Sequence, residues 1–116
     1  MKIITKAKNL ELTEALQNYI DEKAEMLEKF ISAINEEIFI EVEKETNHHN
    51  KGEIFSCQME IKLPGKNLVA KESSDDLYNA ILNAKKEMEE LIIKHKEKEI
   101  ENHRRVQKQN KNEIEI

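Results

Sequence analysis

Two adjacent histidines, a single cysteine and a cluster of cations near the end are the side chains of this 116-residue chain whose type and placement point to chemistry. His48 and His49 sit in the polar stretch Thr46-Asn47-His48-His49-Asn50-Lys51-Gly52, near Glu45 and Glu53. Imidazole and carboxylate are metal ligands, but a zinc site draws on further ligands at regular spacings, and no third spaced ligand accompanies this pair. They read as loop residues, and an enzyme built on them would require a bound metal. Cys57 lies in an alternating apolar series and reads as a buried structural thiol, and one cysteine excludes an internal disulfide. No nucleophile and base, no phosphate-cradling glycine loop and no pair of acids with a reason to be close is visible along the chain. The expectation is a non-enzymatic protein with no cofactor and no metal.

What remains is charge. A net charge of -5 argues against a nucleic-acid partner, because phosphate binding is driven by cation release on Lys and Arg contacts. The mean conceals a split. Residues 1 to 93 hold 12 Lys or Arg against 19 Asp or Glu, a net of -7, whereas residues 94 to 111 hold 7 against 3, a net of +4. Only local charge meets a phosphate.

The elements that must position these cations follow from periodicity. Lys2 to Ala7 is a short strand rich in residues that favour extended backbone, followed by a loop at Lys8-Asn9. Thr13 is an N-cap for a first helix of about five turns whose stripe is Leu16, Tyr19, Ile20, Lys23, Leu27, Phe30 and Ile31, ending near Ser32. From Ile38 the period becomes two: Ile38, Ile40 and Val42 alternate with Phe39, Glu41 and Glu43. After the histidine loop the alternation resumes at Phe55, Cys57, Met59, Ile61 and Leu63, so the two strands form a hairpin. Leu63-Pro64-Gly65-Lys66 is a tight turn into a third hairpin strand, Asn67 to Lys71.

Ser73-Ser74-Asp75-Asp76 then supplies caps for a second helix with its stripe at Leu77, Ile81, Ala84, Met88, Leu91 and His95. Tyr78 beside the stripe reads as packing with its hydroxyl at the boundary, with base stacking as the alternative. The order β-α-β-β-β-α implies a right-handed crossover and a mixed α+β sheet with both helices on its one apolar face. The other face is expected to be solvated and rich in glutamate. With no apolar run of about 18 residues and no signal-like start, a soluble cytoplasmic protein with no membrane partner is expected.

Several segments together resemble the ribosome hibernation promoting factor and ribosome-associated inhibitor family, short form. They are Asn9-Leu10-Glu11-Leu12-Thr13-Glu14-Ala15-Leu16, Lys23, Leu27-Glu28-Lys29-Phe30, Leu63-Pro64-Gly65 and Asp76-Leu77-Tyr78-Asn79-Ala80-Ile81, in the family's order and spacing between about Lys2 and Lys98. The resemblance implies a four-stranded mixed sheet with two helices on one face, a dsRBD-like arrangement. It implies a domain over residues 1–101, with 102–116 as a mobile basic tail or a frayed terminus. It also implies a translation inhibitor that lodges in the small ribosomal subunit where messenger and transfer RNA would sit. Its partners would be that subunit and its ribosomal RNA, not DNA, with a monomer when free.

Structured RNA is met through phosphates and shape, for which cations on rigid elements suffice. The resemblance therefore assigns ribosomal RNA contact to Lys6, Lys8, Lys23, Lys29, Lys71, Lys85, Lys86, Lys94, Lys96, Lys98, Arg104 and Arg105. The chain departs from the family at Glu87 and Glu90, where Lys and Arg are typical, and at Met26, often another Lys. The helical wheel sets Lys85 and Lys96 on one flank of the second helix and Glu87, Glu90 and Glu97, beside Lys94, on the other. Those acids would repel phosphate. The alternative is a protein-protein adaptor that uses an acidic sheet face, with Glu41, Glu43 and Glu60 meeting a basic partner.

Overall fold

Alternation along each strand gives one apolar row and one polar row, so strands that pair in register build a sheet with a single apolar face. The computed structural model describes residues 2–31, 37–45 and 52–114, with side chains as far as Arg104. Four strands, β1 (Lys2–Lys8), β2 (Glu37–Glu45), β3 (Ile54–Leu63) and β4 (Lys66–Ser74), pair in the order β1-β2-β3-β4. β1 and β2 are parallel and are joined through α1 (Glu14–Leu27), whereas β2-β3 and β3-β4 are antiparallel. The element order and mixed sheet are those expected.

Register stacks the core in rows. Ile38 lies opposite Ile61, which lies opposite Leu68; the next row is Ile40, Met59 and Ala70; the next is Val42, Cys57 and Glu72. All but Glu72 are buried, and α1 adds Leu16, Ile20, Ala24 and Leu27 to the same core. The second helix, α2 (Leu77–Ile114), adds Ala80, Ile81, Ala84, Met88 and Ile92. The expected stripe continued through Leu91 and His95, which are only half-buried. A straight helix at about 3.6 residues per turn drifts off a 4-3 repeat, so the buried position after Met88 is Ile92.

Side chains close the helix starts. Thr13 Oγ1 accepts from the Leu16 N–H at 3.2 Å, and Asp76 Oδ1 accepts from the Tyr78 N–H at 2.9 Å. Ser73 and Ser74 were expected in the helix cap but end β4, which pairs with β3 as far as Ser74 opposite Phe55, beyond the expected end at Lys71. Lys8 likewise belongs to β1 rather than to a loop, since it pairs with Glu43. The chain turns one residue later at Asn9, whose φ of 61° a short polar side chain tolerates. Helix α1 gives way at Leu27 to a 3-10 turn over Glu28–Phe30, tighter and earlier than the expected end near Ser32, a residue that lies outside those described. Gly65, at φ 78°, makes the β3-β4 turn.

The 38 residues of α2 make a helix about 57 Å long, whereas strands of 9 or 10 residues span about 30 Å. The helix must therefore overrun the sheet. Ile92 is its last buried residue, and Ile100 is 54% exposed. The backbone is helical through Ile114, past Glu101, where the apolar stripe fades in the sequence.

Truncating the core and the overrun should therefore differ sharply. Met88→Ala is expected to cost about 2–5 kcal/mol in urea unfolding, and Ile100→Ala less than about 0.5 kcal/mol.

Candidate nucleic-acid interface

The fold sorts the cations into three places. Lys6 and Lys8 of β1 and Lys71 of β4 point to the open sheet face, which the sequence reading expected to be glutamate-rich. Parallel pairing corrects that expectation: Lys2, Lys6 and Lys8 stand beside Glu37, Glu41 and Glu43 respectively. The face is a column of cations against a column of acids, and Lys62 Nζ lies 5.3 Å from the centre of the Phe39 ring on the same surface. A basic partner reaching Glu41 and Glu43 also meets Lys6 and Lys8.

The second place is the surface of the two helices, where two of the four lysines, Lys23 and Lys85, are engaged within the protein. Lys23, with a side chain 16% exposed, has its Nζ 5.0 Å from the centre of the Tyr19 ring and 4.0 Å from Glu22. Tyr19 donates its hydroxyl to the Tyr78 carbonyl at 3.4 Å, and the two rings meet edge to face at 4.8 Å. Burial, then the nearby carboxylates of Glu22 and Asp76, push the Tyr19 phenol up. Tyr78 is 42% exposed, and its ring packs on Tyr19. Lys85, only 12% exposed, is paired with Glu89 at 2.8 Å. Lys29 and Lys86 are exposed.

The third place is where α2 leaves the sheet beside the β3-β4 turn. Here Lys94 and Lys98 line a groove of about 390 Å³ together with Lys66, with Leu68 and Leu91 as its apolar part and with Glu97 and Glu101 also lining it. Lys66 was missed in the sequence. The available signal was its place just after Pro64-Gly65, at a hairpin tip that must face the second helix once that helix covers β4. Lys96 lines a cleft of about 250 Å³ on the other side of the helix, with Phe30, Ile31, Pro64 and Ile92. His95 borders both, its Nε2 3.2 Å from Glu99 Oε1. Arg104 is exposed farther along the overrun, and the side chain of Arg105 lies beyond those described.

Glu87 does not simply face solvent. It meets Glu72 of β4 in a hydrogen bond between carboxyl groups, so the chain does hold a pair of close acids, contrary to the sequence reading. The pairing is tertiary: Glu72 occupies a helix-facing position opposite Cys57, and α2 brings Glu87 over it. Glu87 Oε2 is buried without a further partner. The bond to Glu72, then burial, then the charges of Glu72 and Glu90 push the Glu87 carboxyl up.

Cys57 is wholly buried, and burial pushes its thiol up to about 12, which leaves it an inert core residue. His48 and His49 lie outside the described residues. Among the described residues no group of three or more His, Cys, Asp or Glu could hold a metal ion, and no helix is long and apolar enough to cross a membrane.

The family model described as sigma 54 modulation protein / S30EA ribosomal protein matches residues 3–100. A ribosome hibernation promoting factor of Azotobacter vinelandii is 28% identical over 102 residues, which cover 87% of this chain and 88% of that protein. A ribosome hibernation promotion factor of Staphylococcus aureus (strain COL) is 32% identical over 91 residues, covering 76% of this chain and 44% of that protein, so the chain spans less than half of its length. Among solved structures, the N-terminal domain of Thermus thermophilus Protein Y superposes with a TM-score of 0.61 at 26% identity, over 79% of this chain and 96% of that one. A ribosomal subunit interface protein from Coxiella burnetii superposes with a TM-score of 0.66 over 83% and 98%; at 23% identity that likeness is one of fold.

The Glu72-Glu87 contact sets a pH dependence. Because the folded protein holds the Glu87 carboxyl above its ordinary value of 4.5, the contact stabilises fully below that value and its contribution is lost as pH rises through the raised one. Glu87→Gln supplies a permanent amide donor to Glu72. Its melting temperature should exceed that of the wild type at pH 7 by a few degrees, and the gap should close below about pH 4.5.

Proposed function

We propose, from the premise that this chain belongs to the family of sigma 54 modulation protein / S30EA ribosomal proteins, that it is a ribosome-binding translation inhibitor. In this reading it occupies the messenger and transfer RNA channel of the small subunit during slow growth or stress. It acts in the cytoplasm, without catalysis, and is a monomer when free. Contact is made to ribosomal RNA by cations, and the body of residues 1–101 excludes messenger and transfer RNA by volume.

The observation that carries the reading is the convergence of Lys66, Lys94 and Lys98 on one groove at the hairpin tip. Two rigid elements carry the three lysines there, so a phosphate backbone meets them with only their side chains left to order. Lys96 stands on the other side of the helix, the exposed Arg104 lies farther along α2, and Arg105 follows in the chain. Lys29, Lys71 and Lys86 are exposed and available as peripheral contacts. Lys6 and Lys8 stand beside acids, and Lys23 and Lys85 are engaged internally, so these four contribute less. The adaptor reading loses its charge argument, because the open sheet face pairs its acids with lysines.

The combined variant Lys66→Glu, Lys94→Glu and Lys98→Glu should lose co-sedimentation with ribosomes at low salt, while Glu41→Lys should leave it intact. Each of the three lysines replaced singly by alanine should lower the salt dependence of binding, on logarithmic axes, by about one unit. Unchanged co-sedimentation of the charge-reversed protein would overturn this assignment of the surface.

A further inference from the structure

We propose that the cleft on the α1 side of the hairpin tip takes one unstacked nucleobase of ribosomal RNA, while the phosphates of the same strand run through the lysine groove on the other side of the turn. The inference rests on the ribosome-binding reading above and names the element of RNA that would be gripped.

A nucleobase is flat, apolar on both faces and polar along its edge, so it fits between apolar walls that open onto charged groups. Phe30, Ile31, Pro64 and Ile92 supply such walls, and Lys96 and Glu99 stand with them around a space of about 250 Å³. The Lys96 ammonium donates to a phosphate or to a base acceptor, and the Glu99 carboxylate, held at 3.2 Å from His95, accepts from an exocyclic amine. The turn Leu63-Pro64-Gly65-Lys66 gives Pro64 to this cleft and Lys66 to the groove, and His95 borders both. The two openings thus lie on either side of one ridge, an arrangement that suits a strand crossing it.

Two of the segments that carry the family resemblance, one ending at Phe30 and one containing Leu63 and Pro64, are far apart in the chain and meet at this cleft. An apolar peptide side chain is the rival occupant. Lys66, Lys94, Lys96 and Lys98 outnumber Glu97, Glu99 and Glu101 around the two openings and favour the polyanion.

Two variants close the cleft from different walls. Glu99→Trp lies on an exposed helical position clear of the core, and Ile31→Trp fills the space from the end of the 3-10 turn. Ribosomes with and without each full-length protein are probed with dimethyl sulfate for base faces and with hydroxyl radicals for the backbone. The wild type should alter the reactivity of one or two bases inside its backbone footprint. Glu99→Trp should lose that base signal, keep the backbone footprint and bind about tenfold more weakly, the loss expected for one stacked base.

Base signals that persist in both variants at wild-type affinity overturn the proposal. So does crosslinking of a photoreactive side chain at position 99 to a ribosomal protein in place of RNA. If the wild type binds no ribosomes, it is the ribosome-binding reading that fails. A titration with the four nucleoside monophosphates then decides the cleft alone: shifts of the Ile31 and Ile92 methyl resonances support it, and their absence overturns it.

Discussion

One sheet face is apolar, and two helices must cover it. The rest of the molecule follows from that constraint. Rows such as Ile38-Ile61-Leu68 and Ile40-Met59-Ala70 present mostly large side chains, and α2 answers with the small Ala80 and Ala84 among the large Ile81, Met88 and Ile92. Alanines let the helix axis approach the sheet while the large residues fill the spaces between rows. The sheet is only as long as its strands, so the helix runs out of apolar surface at Ile92. Beyond that residue, as far as Arg104, its side chains are exposed or half-buried, and the sequence turns to lysine, glutamate and arginine. The cationic groove at the hairpin tip lies where the helix ceases to be core and becomes surface.

Periodicity within an element was readable in the sequence, because the alternation of β2 and β3 and the stripe of α2 are local patterns. Relations between elements were not. The open sheet face looked acidic because β2 and β3 were read alone, and only the parallel register sets Lys6 beside Glu41 and Lys8 beside Glu43. The third hairpin strand was expected to end at Lys71; because β4 runs to Ser74, alternation turns Glu72 toward α2 and into contact with Glu87. Lys85 looked available on its flank, but its partner Glu89 four residues on takes it up. Lys66 carried no periodic signal, and only tertiary packing joins it to Lys94 and Lys98.

For an acidic protein proposed to meet RNA the electrostatic question is where its acids lie, and geometry answers it in part through distance. Along one flank of α2 the acids come first and the cations later, and Glu87 lies eleven residues before Lys98, about 16 Å along the axis. At physiological ionic strength charges are screened over about 8 Å. A phosphate seated at Lys66, Lys94 and Lys98 is therefore screened from Glu87, whereas Glu90 lies one turn before Lys94, about 6 Å along the axis, and Glu97 and Glu101 line the groove itself. What decides whether such a protein can hold RNA is thus which lysines are left after internal pairing. Lys85 is already satisfied by Glu89, and Lys6 and Lys8 stand next to the acids of β2 in the sheet. The lysines at the hairpin tip are anchored on two elements that the sheet itself holds together, and the three of them outnumber the two glutamates, Glu97 and Glu101, that line their groove.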